Sequence, residues 1–559
     1  MSPNMKAAIA LLLTLFGSHL LVHGSADAAD GLRYDYSAST ECKSHSEPAL
    51  YQGGILTEST RKTEVKNVRT ENGASSPGFV LSNLTADTIY SFSCWVQIKG
   101  RDSALIKARL NTASGTTCIG TTLARSHCWS FLKGGFVLDS PSLSSLLYFK
   151  ASDQNDTTIL VKSASLQPFS QEQWNQHRED SIQKRRKRFI TVHVSDAQGN
   201  RVRGANVSAQ QLSKDFPFGS AIASTILGNK PYQDWFAERF NAAVFENELK
   251  WYATEPQPGK LNYTLADGML EFVRAHQISV RGHNIFWEDP KYTPSWVRNL
   301  TGNALKAAVN SRIRSLLRRY KGDFVHWDVS NEMLHFNFYE ERLGPNATLE
   351  FFQTAKQADP LTTLFMNDFN VVETCEDDNA SVDNYVVRLR QLMQGDEGML
   401  QGIGLEGHFG KPNIPLMRAV LDKLATLKLP VWLTEIDISR NLGLQNQAAY
   451  LEEVLREGFS HPSMHGIMLW TALDKSGTCY QMCLTDTNFQ NLPTGDEVDK
   501  LLKEWQSIDI KGQTNVRGSY SFSAFLGEHE VSVSSGNATK RVTFSLDGSQ
   551  ETKHINVQL

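Results

Sequence analysis

From Phe216 to Trp505 the chain alternates strand-like apolar runs with helical patterns, and few topologies accept that rhythm. The runs are Pro217–Ile222, Ala242–Glu246, Ile278–Phe286, Phe324–Val329, Thr363–Asn367, Gly402–Gly407, Val431–Ile436 and Gly466–Trp470. Helical periodicity falls at Leu265–His276, Ala304–Tyr320, Leu349–Gln357, Asn384–Met393, Leu416–Leu427, Gln447–Phe459 and Glu497–Trp505. Eight strands, each followed by a helix, over about 290 residues predict a closed (β/α)8 TIM barrel at 213–506. An open doubly wound sheet is the alternative, but no Gly-x-Gly-x-x-Gly follows the first strand and no P-loop occurs.

Two of the strands run into carboxyls. Phe324–Glu332 ends on Asn331-Glu332, and Leu429–Ile438 carries Glu435 near its C-terminal end. Cleaving a glycosidic bond needs one carboxyl kept protonated for the leaving oxygen and one ionised to meet the oxocarbenium-like centre. In a barrel the C-terminal strand ends converge on one mouth. Glu246, Asn247, His283, Trp287, Asn331, Glu332, Asn367, Asp368, His408, Glu435 and Trp470 all fall at or just past such ends, a pattern that core packing alone does not require.

The flanks read differently. A chain of 559 residues implies two to four domains. With 56 basic and 60 acidic side chains there is no global field to recruit nucleic acid or an anionic membrane, so a neutral substrate is expected. Lys6, the apolar run Ala7–Val22 and small residues at Gly24, Ser25, Ala26 and Ala28 read as a signal peptide over 1–28, which predicts a secreted protein, extracellular or in a cell wall. Asn-x-Ser/Thr sequons at Asn83, Asn155, Asn206, Asn262, Asn299, Asn346, Asn379 and Asn537 agree with that address. The seven cysteines lack zinc spacing and predict disulfides rather than metal, with Cys375 as the odd thiol.

Alternating runs between turn residues over 31–169 predict an all-β sandwich, its four cysteines paired internally. Trp95 and Trp129 are its candidate sugar platforms, although a sandwich tryptophan is more often core. Residues 170–188 form a polar linker ending in Lys184-Arg-Arg-Lys-Arg188, read as the solvated end of a linker helix rather than a processing site. The strand-like runs Phe189–Val194 and Ala205–Ala209 are too few to close a core, as are those after Trp505. Together, 189–212 and 508–559 predict one small discontinuous β-sandwich with the barrel inserted between its halves.

The motifs Glu246-Asn-Glu-Leu-Lys-Trp251, Gly282-His-Asn-Ile-Phe-Trp287, Trp327-Asp-Val-Ser-Asn-Glu332, Asn367-Asp-Phe-Asn370, Gly402-Ile-Gly-Leu-Glu-Gly-His408 and Thr434-Glu-Ile-Asp437 give the chain a clear resemblance to glycoside hydrolase family ten. Members of that family are mostly endo-β-1,4-xylanases, and the likeness runs from Phe216 to Trp505. Tyr51-Gln-Gly-Gly54, Tyr90–Val96 and Cys128–Phe136 resemble family twenty-two carbohydrate-binding modules, and with Cys479-Tyr-Gln-Met-Cys483 they suggest the plant branch.

The resemblance implies Glu332 as general acid/base and Glu435 as nucleophile of a retaining mechanism, with the carboxyls about 5–5.5 Å apart. It implies Asn331 on the sugar 2-hydroxyl, and His408 with Asp437 orienting Glu435. Glu246, Asn247, Lys250, His283, Trp287 and Trp470 would line the glycone subsites. No cofactor or metal is implied. The expected partner is xylan or a related neutral wall polysaccharide, met by a monomer without nucleic acid or membrane. The alternatives are a wall polysaccharide-binding protein with little or no catalysis, and a xylan transglycosylase. The sequence departs from the family at Glu288, Pro290 and Glu406, where many members carry His or Gln, so Glu406 is expected to raise a partner's pKa unless a cation such as Lys250 compensates. The module is expected to fold alone and to supply avidity by tethering.

Overall fold

The computed structural model describes residues 31–56, 65–70, 75–152, 157–394 and 398–559. The expected signal peptide at 1–28 and the sequon at Asn155 lie outside the described residues.

Eight parallel strands form the barrel: β1 (Phe218–Ile222), β2 (Ala242–Phe245), β3 (Ser279–Gly282), β4 (His326–Asn331), β5 (Thr363–Asp368), β6 (Gly402–Phe409), β7 (Val431–Ile438) and β8 (Met464–Leu469). They neighbour one another in chain order, β8 returns to β1, and β3 pairs with β4 through Arg281↔His326 and Gly282↔Trp327, so the ring has no free edge. The strand expected over Ile278–Phe286 is broken. It stops at Gly282, and a two-residue piece, Phe286–Trp287, rejoins β4 at Ser330 and Asn331. Every residue of β7 is buried, as befits a strand with side chains inside the ring and helices outside. Inside the ring, Trp432 of β7 lies against Gly466 of β8, where a Cβ would come within 2.3 Å of the indole, so only glycine admits that ring. Helices follow each strand; the one after β1, Lys230–Ala237, is too short to stand out as periodicity.

The described residues between 31 and 169 form a five-stranded and a three-stranded antiparallel sheet around a shared apolar core. Two further small sheets flank the barrel. In one, Lys187–Ser195 lies between Ser519–Phe525 and Thr552–Gln558; in the other, Asn206–Lys214 lies between Ile510–Gln513 and Gly527–Ser535. Ile190, Val192, Val207, Val531 and Ile555 meet in the core between them.

The segment expected as linker is the helix Gln171–Arg186 (α1). Ser170 and Gln173 close a capping box at its start, worth about 1 kcal/mol, and Trp174 and Ile182 are buried. The basic run is therefore only partly solvated. Arg186 donates to the carbonyls of Phe459, His461 and Met464 at 3.0, 3.1 and 2.7 Å, and Lys187 already belongs to a strand.

The module is docked. All of Ile414–Leu424 in the barrel helix Ile414–Ala425 (α2) is buried, because the module strand Ser130–Val137 covers the face turned away from the barrel. Gly135 makes that approach possible: a Cβ there would meet Pro415, and its carbonyl accepts from Asn413 at 3.0 Å. Asp422 of α2 binds Lys133 at 2.6 Å, the Tyr34 hydroxyl at 2.7 Å and His461 at 3.2 Å. Tyr34, Ile89, Cys118 and Phe169 share one core with the barrel.

Two cysteine expectations are corrected. Cys375 is not free: it is bonded to Cys118, and only Cys42–Cys128 is internal to the module, while Cys479–Cys483 closes a third bridge. The free thiol is Cys94, whose strand position turns it into the module core, where burial pushes its pKa up and leaves it unreactive.

Candidate active site

The C-terminal ends of β2 to β8 bring most of the expected residues together. β4 delivers Asn331 and Glu332, and Glu332 adopts φ 61°, a left-handed conformation that costs an ordinary residue about 1 kcal/mol or more. It is held there on both sides. Its N–H donates to the Asn367 carbonyl at 3.0 Å, and its carbonyl accepts from Phe336 at 3.0 Å.

On β6 and β7, Glu406 lies beside Glu435 and His408 beside Asp437. His408 Nδ1 is 3.0 Å from Asp437, and its Nε2 is 3.4 Å from Glu406 and 3.7 Å from Glu435. From β5, Asn367 Nδ2 reaches Glu435 at 3.0 Å, Glu406 at 2.9 Å and Asn331 at 2.9 Å. From the far side, His283 lies 3.8 Å from Glu435 and binds Asp328 at 3.0 Å, and Asp328 in turn pairs with the buried Arg281 at 2.6 Å.

These surroundings separate the two glutamates. Burial pushes Glu332 up to about 8, with the Asp368 and Glu435 charges adding and Lys250 opposing. Burial would raise Glu435 too, but His283, His408 and Lys250 hold it below the usual carboxylate range. Glu406 is raised well above that range by burial and then by Glu435, as expected of an added carboxylate, so Lys250 does not cancel it. Burial opposes charge on His408, yet Asp437 and the Glu406 and Glu435 carboxylates hold its proton well above the ordinary value. Glu246 is raised to about 7 by burial. Among the described residues, Glu406, His408 and Glu435 bring donor atoms within 4.8 Å of one another, with the His408 Nε2 facing both carboxyl groups.

Asn247 accepts from Tyr252 at 2.8 Å and Lys250 at 3.3 Å, and donates to Glu246 at 3.1 Å. The Lys250 ammonium lies 4.4 Å from the Trp287 ring centroid and 5.6 Å from that of Trp470, which meets His283 edge-on. Tyr292 stacks on Trp287 at 3.8 Å, so this indole offers a sugar its edge more than its face. Glu288 does not enter the groove. It accepts from Ser330 at 2.6 Å and from the Tyr339 N–H at 3.2 Å, on the side of β4 opposite Asn331. Trp95 and Trp129 are buried in the module, packed with Phe131, and present no open ring face.

Residues without a role in the sequence reading complete the site. Asp368 binds His335 at 2.6 Å, and His335 binds Asp377 at 2.9 Å, which carries the imidazole up to about 9 against the effect of burial. Glu373 accepts from the His408 N–H at 3.2 Å. Asp368 is visible in Asn367-Asp-Phe-Asn370; Glu373 and Asp377 lie in an unpatterned loop with no local signal.

The family model described as glycosyl hydrolase family 10 matches residues 208–497. Three similar proteins from Arabidopsis thaliana are endo-1,4-beta-xylanase 4, 33% identical over 98% of both chains; endo-1,4-beta-xylanase 5, 38% identical over 75% of this chain and 74% of its own; and endo-1,4-beta-xylanase 5-like, 36% identical over 81% and 79%.

Proposed function

The chain belongs to glycosyl hydrolase family 10 and is an endo-xylanase glycosidase, and from that premise we propose a secreted, retaining enzyme that cleaves β-1,4-xylosidic bonds in plant wall xylan. The observation that carries the proposed roles is the separation of the two glutamates: Glu332 keeps its proton at neutral pH while Glu435 is ionised. In the first step Glu435 attacks the anomeric carbon, the glycosidic bond breaks and Glu332 gives its proton to the departing oxygen. In the second step Glu332 takes a proton from water, the water oxygen attacks the same carbon, and Glu435 leaves as carboxylate. Asn331 binds the 2-hydroxyl, while His408, anchored by Asp437, orients Glu435. Glu246, Asn247, Lys250, His283, Trp287 and Trp470 receive the glycone, as hydroxyl-bearing neutral sugars require amides, charged donors and apolar rings.

Secretion is supported by the reading of residues 1–28 and by the exposure of Asn83, Asn206, Asn262, Asn299, Asn346, Asn379 and Asn537. No described helix is long and apolar enough to cross a membrane.

Product sizing on soluble glucuronoxylan tests the reaction class, and proton NMR of the first product tests the stereochemistry, with the β anomer expected. Initial α product would overturn retention. With an aryl xylobioside, Glu332→Ala should give a burst of phenol followed by slow turnover that azide restores as the β-azide. Glu435→Ala should give α-azide instead.

A further inference from the structure

The loop after β5 is fastened from outside the barrel. Cys375 is bonded to Cys118 of the module, 257 residues away in sequence. Next to it, the Glu376 carboxylate accepts both Arg109 guanidinium nitrogens at 2.9 and 3.0 Å and the Cys118 N–H at 3.0 Å. Asp378 pairs with Lys107 at 2.7 Å and accepts from Ser152 at 3.0 Å, and Lys107 also donates to the Glu376 carbonyl at 2.6 Å. Asp377, among these anchors, and Glu373, two residues before the first, turn the other way, into the site. Asp377 accepts from His335 and Asn370, both at 2.9 Å, and Glu373 holds the His408 N–H. His335 continues to Asp368, which receives the Leu334 N–H at 2.7 Å, two residues beyond Glu332.

We propose that the N-terminal module is a positioning element of the catalytic site: by clamping Cys375, Glu376 and Asp378 it fixes Asp377 and Glu373, which hold the surroundings of Glu332 and Glu435. A module that only tethered substrate would need no contact with a catalytic loop. Here a covalent bond, a two-pronged guanidinium–carboxylate pair and a buried lysine converge on three residues, Cys375, Glu376 and Asp378, of one. An unanchored loop of that length samples many conformations, and groups misplaced by fractions of an ångström lose transition-state contacts first. The inference rests on the assignment of Glu332 as acid/base.

The clamp also has an electrostatic reach. The groups acting on Glu332 are Asp368, Glu435, Glu406, Lys250 and the Trp287 N–H; those facing His335 are Asp368 and Asp377. If Asp377 is lost, His335 gives up its proton at lower pH and no longer compensates Asp368. The bare Asp368 charge then pushes Glu332 higher, so the alkaline limb of the rate profile moves up.

The test uses the full-length protein and an aryl xylobioside, too short to bridge module and groove. Arg109→Ala with Lys107→Met, in which the disulfide remains, should lower kcat about three- to tenfold with KM nearly unchanged, the signature of contacts made in the transition state. Asp377→Asn should do the same and raise the alkaline limb by about half a pH unit, with Asp377→Glu restoring both. Cys118→Ala with Cys375→Ala should resemble the Arg109/Lys107 variant. Wild-type kcat and wild-type pH profiles in the Arg109/Lys107 and Asp377→Asn proteins would overturn the inference. A wild-type protein that released no phenol or sugar would overturn the acid/base assignment instead, a separate failure.

Discussion

Glu406 is the residue where this site departs most from a two-carboxylate design. Three carboxyls, Glu332, Glu406 and Glu435, crowd against Lys250, His283 and His408, and each proton they hold depends on the others. Glu406→Gln keeps an acceptor for Asn367 and removes one titrating charge from the cluster. Relief from like-charge repulsion lowers the Glu332 pKa, so the alkaline limb of kcat/KM should fall by about half to one pH unit, opposite in sign to Asp377→Asn. An unmoved limb would mean that Glu406 stays neutral throughout the working range. The proposed catalytic pair and the His408–Asp437 contact could be read from sequence because each is written into a short motif at a strand end. Asp328, His335 and Asp377 were not, since their roles arise from side-chain partners distant in sequence. The stacking of Tyr292 on Trp287 was equally hidden, because it depends on how the Pro290–Tyr292 turn folds back.

At the scale of elements, strand and helix assignments followed the apolar periodicity closely, with misses where tertiary contacts decide. The basic run at 184–188 has the composition of a solvated linker, but its backbone is α1 and then a strand whose pairing partners lie beyond residue 518. Proteases need an extended segment, so limited trypsin digestion should leave this run intact until the molecule unfolds; early cleavage there would show a local opening. Trp174 is the chief anchor of α1: it is fully buried, and its indole N–H donates to Glu457 at 3.0 Å. Trp174→Ala should cost about 3–5 kcal/mol, seen as a lower denaturant midpoint, because it leaves both a cavity and a buried carboxylate oxygen without its donor.

For the whole molecule, the module strand Ser130–Val137 packs directly on α2, a contact that the sequence pattern did not indicate. Sequence pattern marks a β unit well but says nothing of what its outer face covers. Removing residues 31–169 would uncover Leu416, Val420 and the Asp422 network, so the truncated protein should aggregate or unfold at lower temperature rather than behave as a free-standing barrel. Asp422 makes the dock sensitive to acid. Burial opposes its charge, but Lys133 and His461 hold its pKa below the unfolded value of about 3.9. Its contribution is therefore complete above that value and is lost as pH falls through the lower folded one. Asp422→Asn should flatten the stability–pH curve in that acid range while lowering stability at neutral pH, both measurable by denaturant titration. The same wiring dictates an order of assembly during synthesis. Phe189 pairs with Thr552, so the strand that precedes the barrel waits with an open edge while every barrel strand emerges, and the bond from Cys118 must wait for Cys375. Over the 257 residues that separate Cys118 from Cys375, Cys42, Cys94 and Cys128 are the thiols nearest to Cys118 in sequence, so oxidative refolding of the reduced chain should set the native bridge in competition with three mispairings.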